Sequence, residues 1–390
     1  MAIAFIDLAE SSIQPYLQQY AVSLGTTAVL AGLCVGVNQI VRAGAGPLAG
    51  LWSDTVGKRR PFVVGVGVLV VSYLIGYLDR DFAWLLASRM LVGVGYAIVS
   101  VTMMSHVGSC LTVRQRGLGY SLFINASAAS MVLAPLIGGT ISQLYGYRYI
   151  FAVGSALALC GLAFSRLLPS SPVPGPSNLG NLGIRETLTS ISKSRNAMAI
   201  AVELFGIGLG WISFLYYVIP VYGRQALGFS DLQIGMLVSI VGVSHLISSI
   251  SAGPLSDKFR SRRPFVFGGA LLAGVTLFLT PLAHNFLDLA LLVAAYAFFI
   301  GLQCPTSLAL VADSVDRSFL GSSLGVISGI EMLGMFIGPI LCASTLTTLG
   351  LQSVYLIPAI GLTIPAILFL LVSERQGDVA ATYLKRRKSL

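Results

Sequence analysis

Apolar stretches of about twenty residues follow one another along this chain almost without interruption, and this restricts the fold more than any other feature. A helix needs ~20 mostly apolar residues to cross a hydrocarbon layer roughly 30 Å thick. Twelve such spans can be drawn, at 2–22, 27–49, 62–79, 83–106, 118–142, 147–168, 197–222, 232–253, 264–283, 286–312, 320–346 and 351–372, with mostly short loops between them. A barrel would show segments of roughly ten residues alternating apolar and polar, whereas these runs are continuous and rich in Gly and Ala. With 55% hydrophobic and 10% charged residues, the chain is poorly suited to a water-soluble globule. The expected fold class is an all-α polytopic membrane protein.

The net charge of +9 would suit nucleic acid if the basic residues clustered on a soluble face, so their positions matter more than their sum. With the N-terminus in the cytoplasm, the inner connections and the tail collect most of the 24 Lys and Arg residues, among them Lys58, Arg59, Arg60, Arg262, Arg263 and the final run Lys385 to Lys388. The outer loops keep only Arg80, Arg148 and Arg224. This asymmetry follows the positive-inside rule and places a multi-pass chain in the cell membrane with both termini cytoplasmic. The basic excess then faces anionic lipid headgroups, and no nucleic-acid partner is expected. The five cysteines are scattered and never form CxxC, so neither a disulfide framework nor a metal site follows, and no cofactor is expected. Residues 1–22 lack Lys and Arg and carry Asp7 and Glu10, which is unlike a cleaved signal peptide.

The chain repeats itself. SDTVGKRRPFVVG, from Ser53 to Gly65, returns as SDKFRSRRPFVFG, from Ser256 to Gly268. The same spacing relates Leu24 to Leu227, Gly25 to Gly228 and Gly32 to Gly235, and a spacing one residue longer relates Gly117 to Gly321 and Pro135 to Pro339. Six spans therefore answer to six spans in the same orientation, the parallel-repeat architecture of a large class of transporters. The expected organisation is a six-helix bundle over 1–168, a cytoplasmic linker over 169–195 with the Pro/Gly/Ser-rich SSPVPGPSNLGNLG, a second bundle over 196–374, and a basic tail over 375–390. By the same spacing the partner of helix 7 would begin before Met1, so helix 1 is expected to be short at its inner end or to start upstream.

The loop GLWSDTVGKRR, from Gly50 to Arg60, fits G-x-x-x-D-x-x-G-[KR]-[KR]-[KR], and GPLSDKFRSRR, from Gly253 to Arg263, is a degenerate copy. With SRMLVGVGYA in helix 4, from Ser88 to Ala97, these motifs make the chain resemble the major facilitator superfamily over essentially its whole length, and drug/proton antiporter-like members in particular. The resemblance implies twelve transmembrane helices in two six-helix bundles related by a pseudo-twofold axis, and secondary transport by alternating access. It also implies a monomer whose partners are a small-molecule substrate, protons and the lipid bilayer. Export-type members carry G-x-x-x-G-P-x-x-G-G in helix 5; here SMVLAPLIGG replaces the first two glycines by Ser130 and Ala134, so the export signature is eroded. Proton-coupled export of a drug or metabolite is the first reading, and uptake symport or facilitated diffusion the second. An enzyme or receptor is the outside class, disfavoured because the three histidines form no ligand cluster and no nucleophile constellation is evident.

The repeated loop suggests a latch. Asp54 ends helix 2 at the inner surface, where helix 11 begins with its positive dipole end, and a carboxylate there is worth roughly 0.3–1 kcal/mol. By symmetry Asp257 would face the start of helix 5. The expected latch residues are Gly50, Asp54, Gly57, Lys58, Arg59, Arg60, Gly253, Asp257, Arg262 and Arg263, with Gly57 supplying the tight turn. The plainer alternative is that these charges only fix topology.

An ionisable residue at mid-depth costs ~2.5–3.5 kcal/mol on insertion scales, so it faces a cavity or a partner. Glu10 lies roughly 15 Å deep by helical rise, and Glu331 a similar distance into helix 11 from the other side. Desolvation favours the neutral form of a carboxyl group, so each is a candidate proton carrier, the alternative being a hydrogen bond to a neighbouring helix. Asp7 shares a face with Glu10 and matches Arg42 of helix 2 in depth, which suits a neutralising pair or a proton-dependent switch. Arg89 never loses its charge and needs an acidic or anionic partner, for which Glu10 is nearest in depth; the resemblance associates this arginine with proton coupling. Glu203 is expected to snorkel from the inner end of helix 7. Candidate cavity residues are Gln18, Asn38, Gln39, Tyr96, Asn125, Trp211, Tyr217, His245 and Gln303, with Phe214 and Tyr296 as further aromatic walls. That mixture suits a mid-sized, partly apolar solute.

Overall fold

The computed structural model describes residues 2–110, 113–165, 189, 191, 192, 194–259, 261–314 and 320–372, without the side chains of 107–110, 113–126, 257, 312–314 and 320–322. All of the regular structure among them is helical. The first span, α1, runs Ala2–Ile13 and Leu17–Ser23 around a 3-10 turn at Gln14–Tyr16. It is followed by α2 (Ala28–Val56), α3 (Arg59–Leu78), α4 (Phe82–Cys110), α5 (Val113–Tyr145) and α6 (Tyr147–Ser165). The second set opens with α7, made of Arg195–Ser213, a π-helical turn at Phe214–Val218, and Ile219–Gln225. It continues with α8 (Asp231–Lys258), α9 (Arg263–Phe278), α10 (Phe286–Ser314), α11 (Leu320–Leu349) and α12 (Leu356–Val372). Ten are long and apolar enough to cross a membrane; α9 is shorter, and α1 is interrupted. Several helices outrun their hydropathy-drawn ends, α2 reaching Val56 rather than residue 49, because backbone hydrogen bonding continues past the last apolar residue. The linker from Ser170 to Gly183 and the basic tail lie outside the described residues.

Helix packing has the symmetry of the sequence repeat. In the first set α1 packs on α5 and α6, α2 on α4, α3 on α4 and α6; in the second, α7 packs on α11 and α12, α8 on α10, α9 on α10 and α12. Each pairing recurs six helices later. The main contacts between the sets, α2 with α11 and α5 with α8, also exchange under the same relation. These are two six-helix bundles about a pseudo-twofold axis.

The repeated residues have structural reasons. Gly25 (φ 81°) and Gly228 (φ 68°) turn the chain in the left-handed region that favours glycine. Two residues after each, a hydroxyl caps the next helix: Thr27 Oγ1 accepts from the Leu30 amide at 3.3 Å, and Ser230 Oγ from the Gln233 amide at 3.3 Å. Gly32 lies so close to α11 that a Cβ would come within 2.5 Å of the Pro339 carbonyl oxygen, and a Cβ at Gly235 would collide with that of Pro135. The repeat anchors thus meet in pairs across the two bundles. The first helix of each bundle also breaks at an equivalent depth, next to Pro15 in α1 and Pro220 in α7, since proline removes a backbone donor and crowds the preceding turn.

Among the described residues, the close crossings of the two bundles lie on one side. Along α2, Gly32 and Gly36 abut Pro339 and Phe336 of α11, whereas further on nothing lies within 4 Å of the Cβ positions of Gly44 and Gly46. Along α8, Gly235 and Gly242 abut Pro135 and Met131 of α5, whereas Gly253 is open. The close crossings therefore lie on the face opposite the basic loops at Lys58–Arg60 and Arg262–Arg263, and the bundles part towards those loops. Gly235→Val, which forces two branches into the Pro135 carbonyl, is expected to cost about 1–3 kcal/mol, while Gly44→Val stays within about 0.5 kcal/mol; thermal unfolding of the purified protein in detergent measures both.

Candidate functional site

Where the bundles part they enclose a cavity of about 370 Å³ with walls from α1, α2, α4, α7 and α11. Its closed end is sealed by tyrosines reaching across the bundles. The Tyr16 hydroxyl donates to the Pro135 carbonyl at 2.6 Å and lies 3.3 Å from that of Asp231, and the Tyr217 hydroxyl approaches the Ala28 carbonyl at 3.4 Å. Asp231, at the start of α8, also accepts from the Tyr147 hydroxyl at 3.2 Å and pairs with Arg224.

The strongest electrostatic feature lies in the first bundle. Glu10 of α1 and Arg89 of α4 form a two-pronged ion pair, with Nη2 donating to Oε1 and Nη1 to Oε2 at 3.2 Å. Tyr73 donates to the same carboxylate at 3.1 Å and Asn38 at 3.2 Å. Gln14, one turn on from Glu10 and at the start of the 3-10 turn, joins the cluster, where its Oε1 accepts from Arg89 Nη2 at 2.6 Å. The Arg89 side chain is 0% exposed and that of Glu10 is 14% exposed, so the carboxylate meets the cavity while the guanidinium stands behind it. Charge-assisted, two-pronged bonds of this kind are about twice as strong as neutral ones.

One turn before Glu10, Asp7 accepts hydrogen bonds from Tyr96 of α4 and Ser127 of α5. The expected direct pair between Asp7 and Arg42 is absent: the Arg42 guanidinium lies over the Tyr96 ring, 4.6 Å from its centroid, so the aromatic side chain mediates between them. Depth along a helix gave the right level but could not give the intervening ring. Arg42, Glu331, Asn38, Gln39, Tyr96 and Trp211 line the cavity with Glu10.

Other cavity candidates are placed elsewhere. Gln18 is buried outside the lining, and Tyr217 belongs to the seal. His245 stands beside Trp211, ring centroids 5.2 Å apart, while Tyr296 packs against Trp211 and Phe214 at 6.3 and 4.7 Å. Gln303 is engaged with Glu203, which does not snorkel: Glu203 is 1% exposed and accepts from Gln303 Nε2 and, at 3.3 Å, from Ser307 Oγ. Asn125 lies outside the residues whose side chains are described. Gln14, Tyr73 and Ser127 were missed; only Gln14, one turn from Glu10 on the same helix face, left a signal in the sequence. No group of three His, Cys, Asp or Glu side chains among the described residues is arranged to hold a metal.

At the basic face, Asp54 pairs with Lys58 of its own loop. The residues just before α11, 315–319, and the Asp257 side chain lie outside the description. Gly57 takes φ 83° between α2 and α3, and Gly50 sits on α2. Arg59 and Arg60 are exposed, Arg262 precedes α9, and Arg263 Nη2 donates to the Leu370 carbonyl at 2.5 Å.

Comparison with known proteins places this arrangement in a family. The profile of the Major Facilitator Superfamily matches residues 1–244 and 212–388. The chain is 22% identical over 377 residues to the uncharacterized MFS-type transporter YbcL of Bacillus subtilis (strain 168), covering 96% of this chain and 94% of that protein. It is 23% identical over 363 residues to the multidrug resistance protein MdtG of Rahnella sp. (strain Y9602), covering 90% and 86%. Among solved structures, a D-xylose-proton symporter superposes with a TM-score of 0.79 at 17% identity over 96% of both chains. A bacterial homolog of the human lysosomal transporter Spinster, inward-facing and unoccupied, gives 0.80 at 16% identity over 98% of this chain and 96% of that one.

Removing one member of a buried pair leaves an uncompensated charge, whereas removing both does not. Arg89→Leu and Glu10→Leu are each expected to destabilise by about 3–5 kcal/mol and the double variant by much less than their sum; a double-mutant cycle on detergent-solubilised protein reads the coupling.

Proposed function

The chain belongs to the major facilitator superfamily, and from that premise we propose that it exports a small organic solute by alternating access, with Glu10 exchanging a proton as it releases Arg89. It is a multi-pass membrane transporter and not an enzyme; direction, proton coupling and solute are the proposed part. The observation that carries the reading is the placement of Glu10, a carboxylate at the cavity wall whose only full charge partner among the described residues is a dry guanidinium behind it. Protonating Glu10 removes the charge that holds α1 to α4, so solute and proton act on one wall.

The positive-inside rule makes the basic face cytoplasmic, and the cavity between bundles that part towards that face is then poised to load from inside. In the opposite state the bundles close there, Asp54 leaves Lys58 for the start of α11, and the tyrosine seal on the far face breaks. The bundles 1–168 and 196–374 move as the two bodies, joined by the linker 169–195. Export is favoured by the similarity to MdtG and by the small-residue pattern of α5 and α11, with Gly138, Gly139, Gly334, Gly338 and Pro339 kept.

Purified protein in liposomes with an imposed pH gradient, screened against a panel of solutes, tests this. Wild type is expected to move a solute opposite to protons, and Glu10→Gln to lose gradient-driven transport while retaining solute exchange at equal pH. Solute moving with protons would make the protein a symporter; transport indifferent to Glu10→Gln would remove the coupling role.

A further inference from the structure

Two charges on the cavity wall are left over once Glu10 and Arg89 are paired. Arg42 of α2 and Glu331 of α11 both line the cavity, and neither makes a hydrogen bond or ion pair with any described residue. Stacking over Tyr96 orients the Arg42 guanidinium, and Asp7, bonded to that ring's hydroxyl, is held off from a direct pair with it. The two helices touch where Gly36 abuts Phe336. Arg42 is six residues beyond that contact and Glu331 five before it, so by helical rise both stand roughly 7–9 Å below it, on either side of the cleft where the bundles part. No ion pair joins them among the described side chains, so the two stand apart across the cleft.

Opposite charges held apart at this depth are costly unless something bridges them. We infer that the cavity takes a zwitterionic solute, its anionic group on Arg42 and its cationic group on Glu331, tying α2 of one bundle to α11 of the other. The planar guanidinium suits a carboxylate or phosphate end. Trp211, Tyr216, Met332 and Met335 supply apolar wall for the part between the charges. A solute with one charge leaves the opposite wall charge unmatched as the bundles close, which is a penalty against it. The inference rests on the proposed reading of the cavity as the solute site.

Three probes on one phenyl frame test it: phenylalanine with both charges, phenethylamine with the cation alone and 3-phenylpropionate with the anion alone. Equilibrium binding to the purified full-length protein at neutral pH is expected to favour phenylalanine by roughly tenfold over each single-charge probe. Arg42→Gln should erase the preference over phenethylamine and keep that over 3-phenylpropionate, and Glu331→Gln should do the reverse. The preference each variant keeps shows that it is folded. Wild type that favours a single-charge probe or binds none of the three overturns the inference. So do variants that shift all three affinities alike, since the two charges would then serve packing or a direct pair with each other. If phenylalanine is not bound while Glu10-dependent flux of another solute persists, this inference alone fails; if the charge selectivity holds but liposomes show no flux, the transport reading fails and the binding site stands.

Discussion

Arg89 cannot shed its charge, and it is held where no water reaches it. That constraint organises the first bundle. A guanidinium in hydrocarbon requires an ionised partner and further acceptors, so α1 presents Glu10 to α4 and, one turn further on, Gln14 as a second acceptor. Tyr73 and Asn38 complete the carboxylate's shell from α3 and α2. Four helices are thereby fixed around one charge pair, and three of them, α1, α2 and α4, form the first bundle's share of the cavity wall. Among the described residues the second bundle has no fully buried ion pair: Arg224, which pairs with Asp231, is half-exposed, and the buried carboxylate of Glu203 is met by the neutral donors Gln303 and Ser307, so the two related bundles carry different electrostatics.

The far-face contacts explain how such a wall can move. Close approach of backbones at Gly32 with Pro339 and Gly235 with Pro135 gives two short crossings related by the pseudo-twofold axis, and the hydroxyls of Tyr16, towards the Asp231 carbonyl, and Tyr217, towards the Ala28 carbonyl, add hydrogen bonds between the bundles. Small residues let helices meet through packing where lipid offers no hydrophobic drive. Because these contacts sit at one end, the bundles are free to separate at the other, which is the asymmetry the proposed alternating access requires.

The repeat made the fold readable from the sequence, because each anchor has a backbone task that few residues can perform: Gly25 and Gly228 turn the chain, and Gly32 and Gly235 admit a neighbouring carbonyl. Helix depth, counted by rise per residue, also pointed to Glu10 as the acidic partner nearest to Arg89. Counting depth failed where the azimuth around the helix decides the outcome. It set Asp7 beside Arg42 without the Tyr96 ring between them, and it let Glu203 point to water when the residue faces α10. Tyr73 and Ser127 were illegible for a related reason: a single hydroxyl on an apolar helix gives no pattern until its neighbour is known. The Asp54 latch differs again: Asp54 rests on Lys58 of its own loop, and the groups expected to meet it at the start of α11 lie outside the described residues.

The proposed coupling requires that Glu10 take up and lose a proton even though Arg89 stands against it. Infrared difference spectroscopy between acidic and alkaline buffer, comparing wild type with Glu10→Gln, observes that event without knowledge of the solute. The account predicts a protonated-carboxyl band that appears and disappears reversibly in wild type and is missing from the variant. Identical spectra from the two proteins would mean that Glu10 stays ionised against Arg89 throughout, and would contradict it.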